Sequence, residues 1–227
     1  MRILLICDDH WHPGQVPIDG FSLLKNEGFD FDVITDEKKL NPDTFSNYSV
    51  IVLSKSRTLS PDDDSRWMSE ALQQSFTDYV DNGGGLLVTH SGLVTAENNE
   101  RFDMLIGAKF TFHPDSSPVT VQPINKHPIV DGVQMFCEFD EHYRLEMLAD
   151  DIDVFMASYS APLGDPSKIE EDPFKNSTAW LGAAGYSRVQ GKGRVCVLTP
   201  GHFIEVWTNP QYQCILKNAL NWCGAVK

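Results

Sequence analysis

Arg2-Ile3-Leu4-Leu5-Ile6-Cys7 is an unbroken apolar run, the pattern of a strand covered on both faces. The polar loop Asp8-Asp9-His10-Trp11-His12-Pro13-Gly14 follows it. A short helix is expected from about Pro17 to Glu27, stopping at Gly28, which suits a left-handed C-terminal cap. Phe29 to Thr35 and Tyr48 to Leu53 read as the second and third strands. The strongest helix start lies at Ser60, with Pro61 in the first turn and Asp62, Asp63 and Asp64 favouring the positive end of the dipole. Met68, Ala71, Leu72, Phe76, Tyr79 and Val80 then recur at helical spacing. Asn82-Gly83-Gly84-Gly85 ends that helix and leads into the apolar run Leu86-Leu87-Val88, which stops at Thr89-His90-Ser91-Gly92.

Strands and helices alternating in this way predict parallel β-α-β units with right-handed crossovers. From about Asp115 to Asn176 the pattern changes to short alternating segments, such as Val119 to Gln122 and Ile152 to Ser158, separated by turn residues. This stretch is expected to be an antiparallel or loop-rich elaboration of one domain spanning residues 1–227, with Gly164 to Asn176 as an exposed flap. Gly193 to Thr199 returns to the core as a strand ending at Pro200-Gly201-His202. A last helix is predicted with Asn209 as cap and Pro210 in its first turn, carrying an apolar stripe from Tyr212 to Cys223.

Composition narrows the class. The chain has 227 residues, 41% of them apolar, and a net charge of −14. That length supports a sizeable core without disulfides. The acidic balance disfavours nucleic acid and anionic membrane surfaces, both of which call for a basic face. The five cysteines form no Cys-x-x-Cys pair. Cys7, Cys196 and Cys214 sit in apolar stretches, as buried thiols of a reduced compartment would. No cationic leader with an apolar core opens the chain, and no apolar run approaches the roughly 18 residues of a membrane span. A soluble cytoplasmic protein is expected.

Polar groups collect where predicted strands end. The first gives Asp8, Asp9, His10 and His12, the third Ser54-Lys55-Ser56, the fourth His90 and Ser91, and the last His202. In a parallel sheet these ends share one edge, where binding sites form. Glu138-Phe139-Asp140-Glu141-His142-Tyr143 adds carboxylates from the middle region. With Asp140 or Glu141, the histidines would form a His/carboxylate site for zinc or another divalent metal. His90, Glu141 and His202 are the candidate catalytic residues and candidate metal ligands. His10, His12, Ser91, His113 and Tyr143 are the candidate substrate-binding residues. His127, in a His-Pro turn, reads as structural, and Trp11, Trp180 and Trp207 are candidates for stacking on a sugar ring. The turn at His90 carries no cysteine, and Thr89 and Ser91 break the Gly-x-Ser-x-Gly elbow of serine hydrolases.

Taken together, several motifs resemble the trehalose-utilisation (ThuA-like) family. They are Gly83 to Ser91, Phe102 to Pro114, His127-Pro128-Ile129-Val130-Asp131-Gly132, Asp140-Glu141-His142-Tyr143, and Gly191 to Val195 continuing through Pro200-Gly201-His202. Their order and spacing cover most of the chain. The resemblance implies an α/β, flavodoxin-like three-layer sandwich with a mostly parallel central sheet, of the class I glutamine-amidotransferase type. In that superfamily a cysteine at the elbow attacks glutamine. Here His90 stands at or beside that position, which argues against glutaminase activity. The resemblance also implies a role in carbohydrate use, with trehalose, a related disaccharide or a keto-sugar as substrate. The expected partner is thus a small-molecule sugar, taken by a monomer or a homo-oligomer. Hydrolase, lyase and isomerase chemistry stay open, and so does a non-catalytic carbohydrate-binding module on the same scaffold.

Overall fold

The computed structural model describes residues 1–60, 63–94, 99–160 and 182–225. In chain order its elements are β1 (Arg2–Cys7), α1 (Gln15–Ser22), β2 (Asp30–Ile34), β3 (Val50–Ser54), β4 (Thr58–Ser60), β5 (Asp63–Arg66), α2 (Glu70–Asp81) and β6 (Gly85–Thr89). They continue with α3 (Glu100–Ile106), β7 (Ala108–Phe112), β8 (Ser117–Pro123), β9 (Phe136–Asp140), β10 (Arg144–Met147) and β11 (Asp153–Tyr159). The chain closes with β12 (Gly182–Gln190), β13 (Gly193–Leu198), α4 (Ile204–Thr208) and α5 (Pro210–Gly224). Short 3-10 turns join several of them.

Nine strands form one mixed sheet in the order β2-β1-β3-β6-β13-β12-β11-β8-β9. The first five are mutually parallel, and each later pairing is antiparallel. The middle region therefore extends the main sheet and is no separate layer of loops. β7 and β10 form a small sheet of their own. Four reversals separate β13 from β9, so β9 runs in the same direction as β13. Its end, at Asp140, lies at the same sheet edge as the ends of β1, β6 and β13.

Alternation along the strands divides the core in two. Ile3, Leu5 and Cys7 pack with Phe21 of α1, Trp207 of α4 and Tyr212, Ile215 and Leu216 of α5. Leu4 and Ile6 face the other way, with Phe76 and Val80 of α2 and Phe102 and Ile106 of α3. The central strands are buried on both faces, which explains their continuous apolar runs. Among the described residues no helix is long and apolar enough to cross a membrane.

Two expectations need correction. Ser60 does not cap a helix: it belongs to β4, which pairs with β5 through Ser60 and Asp63. Pro61 and Asp62 lie outside the described residues. The helix starts nine residues later, where the Ser69 side chain accepts the Leu72 N–H at 3.2 Å. The apolar stripe from Leu72 onward is what can be buried, and Ser69 stands one turn ahead of it. Cys214 is only partly buried, whereas Cys7, Cys196 and Cys223 are enclosed. The expected flap from Gly164 to Asn176 lies outside the described residues, as does Trp180.

Close backbone approach makes a testable contrast. A Cβ on Gly193 would lie 2.2 Å from the Val80 carbonyl oxygen and 2.4 Å from that of Gly84, neither of which can swing aside. Gly28 has φ +85° but open space around it. Gly193→Ala should cost about 1–3 kcal/mol through overpacking, and Gly28→Ala about 1 kcal/mol through strain alone. Urea unfolding measures both, and a Gly28→Ala loss equal to or larger than that of Gly193→Ala would contradict this packing.

Candidate functional site

His90 follows β6 and starts a tight turn to Leu93 with φ 38°, one of two non-glycine residues at positive φ among those described. The turn is pressed against β3, since a Cβ on Gly92 would meet the Leu53 carbonyl oxygen at 2.3 Å. His90 Nδ1 lies 2.8 Å from the Thr199 carbonyl oxygen. A carbonyl only accepts, so Nδ1 carries a proton and donates it. The other ring nitrogen, Nε2, faces Glu141 Oε2 at 3.3 Å.

His202 arrives from the loop after β13. The loop is strapped on every side. The Trp207 indole N–H donates to the Gly201 carbonyl at 2.7 Å, and the Tyr212 hydroxyl to the Pro200 carbonyl at 2.7 Å. Asp140, at the end of β9, accepts the N–H groups of Gly201 and His202, each at 2.9 Å. These two bonds draw the outermost strand of the sheet over the end of β13. Glu141, one residue on, then reaches His202 Nδ1 at 3.1 Å. Of the two carboxylates expected to serve the site, Glu141 enters the cluster and Asp140 holds the loop.

His12 completes the group. Asp9 fixes it: Oδ1 accepts the N–H of Trp11 and of His12 at 3.0 Å each, and the His12 Nδ1–H at 2.8 Å. Asp9 Oδ2 accepts the Ser56 N–H at 2.7 Å, which ties this loop to the end of β3. The His12 ring stands 5.1 Å from those of His90 and His202, edge-on to both. One ligand atom from each of His12, His90, Glu141 and His202 lies within 4.8 Å of all the others.

The cluster is enclosed. Side-chain exposure is 2% for His90, 10% for Glu141, 12% for His12 and 22% for His202. Although within ion-pair distance, His90 Nε2, Glu141 Oε2 and His202 Nδ1 are buried atoms without a hydrogen-bond partner. Burial opposes ionisation of Glu141, but the His202 and His90 rings outweigh it and hold the carboxyl far below the usual range. The Glu141 contact raises His202, against its burial. Burial lowers His12, with Asp9 opposing and the neighbouring rings adding to the shift. Burial works against ionisation of Asp9 too, yet its bond to His12 and the backbone N–H donors keep it ionised.

The remaining sequence candidates divide. Tyr143 is buried beneath the cluster, its ring 4.3 Å from that of His90 and 5.5 Å from that of His113, with which it stacks. His113 Nε2 lies 3.5 Å from Glu141, and its side chain is 34% exposed, at the rim. Ser91 is buried in the turn after His90. His10 stands apart, exposed on its loop and edge-on to Trp11. Lys55 braces that loop from below, with its ammonium donating to the Asp8 carbonyl and pairing with Glu37 at 3.3 Å. His127 caps a short turn and stacks on Phe155 at 4.7 Å, the structural role expected of it. Trp207 is fully buried in the core and offers no face to a sugar. Sequence reasoning missed that His12 belongs with the proposed ligands and that Asp9 and Asp140 position them. The Asp-x-x-His spacing of Asp9 and His12 was the available signal, since an Asp side chain readily bonds backbone N–H groups two and three residues on.

Comparison with known proteins agrees with the motif reading. The ThuA family, described as trehalose utilisation, matches residues 7–223. Among solved structures, a putative ThuA-like protein from Bacteroides uniformis superposes with a TM-score of 0.74 at 21% identity, over 98% of this chain and 91% of that one. Another from Parabacteroides merdae gives 0.73 at 19% identity, over 100% and 91%. A cytoplasmic protein from Salmonella typhimurium gives 0.64 at 14% identity, over 98% and 99%. At these identities the likeness to solved structures is one of fold. Among curated proteins there is no significant sequence match.

The strapping of the His202 loop can be tested directly. Asp140→Asn keeps one acceptor oxygen where two are used, leaving one buried N–H unmet. The loss should be about 1–3 kcal/mol in amide hydrogen-exchange protection at Gly201 or His202. Unchanged protection at both amides would show that Asp140 does not hold this loop.

Proposed function

The chain belongs to the ThuA, or trehalose-utilisation, family, and we propose that it is a sugar-directed enzyme whose buried histidines and Glu141 hold a divalent metal such as zinc. One observation carries this reading. Three buried atoms, on His90, Glu141 and His202, face one another at ion-pair distance without a hydrogen-bond partner. Donors held about 2.0–2.2 Å from one ion stand about 3–3.5 Å from their neighbours, and Glu141 Oε2 stands 3.1 Å from His202 Nδ1 and 3.3 Å from His90 Nε2. Imidazole nitrogens with a carboxylate suit a first-row divalent ion. The outward bond of His90 to the Thr199 carbonyl is the second layer that orients such a ligand.

When bound, the ion would polarise an oxygen of the sugar. This chain's residues would do the rest. His113 and Tyr143 form the wall beside Glu141, and His113 at the rim is placed to meet a sugar hydroxyl. His10, Trp11 and His12 belong to the loop on the β1 side, and Ser91 is buried in the turn that starts at His90. The substrate is a trehalose-like disaccharide or keto-sugar, in keeping with the family. The order of the five parallel strands, β2-β1-β3-β6-β13, supports the flavodoxin-like, amidotransferase-type reading of the fold. The absence of paired cysteines favours a cytoplasmic location.

Glutaminase chemistry does not fit. His90 occupies the turn after β6, and Cys7, at the end of β1, is buried, with burial pushing its thiol up to about 12. A thiol that stays protonated is a poor nucleophile.

Three measurements check the proposal. Elemental analysis of untagged protein should find about one divalent ion per chain, and turnover in a screen of sugars and keto-sugars should depend on it. His90→Ala, Glu141→Ala and His202→Ala should each abolish most of that turnover, and pairs should lose little more, because the residues act as a unit. Additive losses would contradict one shared centre, and sugar binding without turnover would favour the binding module. Incubation with glutamine should release no ammonia above background. Release that a Cys7→Ala variant abolishes would overturn the exclusion of glutaminase chemistry.

A further inference from the structure

His12 is not needed to explain the orphaned atoms of His90, Glu141 and His202, yet it is held toward them with more hydrogen bonds than any of the three. Asp9 grips its backbone N–H, its neighbour's N–H and its ring Nδ1–H, and anchors itself on the Ser56 N–H. The ring's remaining nitrogen, Nε2, is the one that bears the lone pair when the ring is neutral. A histidine presented in this tautomer by a buried carboxylate is the arrangement that raises imidazole basicity toward a metal. Lys55 and the Gly14 N–H fix the start of the same loop through Asp8, whose backbone sits at φ 81°.

We infer that His12 is a fourth protein ligand, with Asp9 as its positioning residue, and that the ion takes five or six ligands with open positions for two oxygens of the substrate. This rests on the metal reading above and sharpens it. Four protein donors saturate a tetrahedral zinc, whereas catalytic zinc sites keep three and leave the fourth place open. A catalytic role with three imidazoles and one carboxylate therefore calls for an ion that expands its shell, of the manganese, iron, cobalt or nickel kind. The open side is visible in the burial. His90 is closed off above Tyr143, while His202 at 22% and His113 at 34% exposure mark the face that solvent reaches. Neighbouring oxygens of a sugar, two hydroxyls or a hydroxyl beside a carbonyl, are a bidentate pair of the size such a face admits.

The test uses the full chain, stripped of metal and titrated with cobalt(II), whose visible spectrum is intense in four-coordinate and weak in five- or six-coordinate sites. Wild-type protein should bind one equivalent with a weak spectrum that shifts on adding acetohydroxamate, a bidentate oxygen donor. Asp9→Ala should weaken cobalt binding by about 10–100-fold, and His12→Ala by more. His10→Ala, on the same loop but outside the cluster, should leave it unchanged. His12→Gln, of similar reach, replaces the alanine variant if circular dichroism shows that the latter does not fold. Failure of the wild type to bind cobalt would sink the metal reading itself. Binding by the wild type that His12 variants match in affinity and spectrum would overturn only the assignment of His12. An intense wild-type spectrum indifferent to acetohydroxamate would overturn the open shell.

Discussion

Glu141 Oε2 stands 3.1 Å from His202 Nδ1 and 3.3 Å from His90 Nε2, and no hydrogen bond relieves the contact. Buried polar atoms left in this state cost free energy unless something between them supplies positive charge. The proton on His90 Nδ1 does not bridge this contact, because the Thr199 carbonyl holds it on the far side of the ring. Asp9 holds the His12 proton on the far side of its own ring in the same way. His90 and His12 are thus fixed in the orientation that turns the second ring nitrogen toward the cluster. Much of the surrounding structure makes sense as support for that one arrangement.

The support is topological before it is local. Parallel order in β1, β3, β6 and β13 brings their ends to one edge, and an even number of reversals brings β9 to the same edge. Local bonds then set the side chains. Asp140 straps the Gly201–His202 backbone, Asp9 shapes the loop after β1, and the turn after β6 accepts a left-handed backbone at His90. Backbone strain of this kind, of order 1–3 kcal/mol, persists where the surroundings over-determine it. The fold alone would serve many activities. The buried histidine and carboxylate cluster is what separates this site from a nucleophile elbow on a similar scaffold.

Much of this was legible along the chain, for definite reasons. Strands buried on both faces leave continuous apolar runs, so β1, β3, β6 and β13 stood out. The convergence of His90 and His202 followed from strand direction alone. The start of α2 was misplaced because Ser60 and Ser69 are both plausible caps, and only the hairpin pairing of β4 with β5 decides between them. Asp140 and Glu141 could not be separated in sequence. Neighbouring residues at a strand end take opposite sides, and which side faces His202 depends on how β9 lies over the β13 loop. His12 was visible as a residue near the site, but its place among the proposed ligands depends on the turn that Asp9 folds, which no periodicity encodes.

The central claim is that a metal ion, and not a proton on one of the rings, reconciles Glu141 with the histidines. Anomalous diffraction from crystals of the untagged protein, collected on both sides of a transition-metal absorption edge, addresses it most directly. The account predicts a single peak about 2.0–2.2 Å from His90 Nε2, Glu141 Oε2 and His202 Nδ1. A site without such a peak even after soaking with divalent metals, with Glu141 instead hydrogen-bonded to a protonated His202 ring, would contradict it.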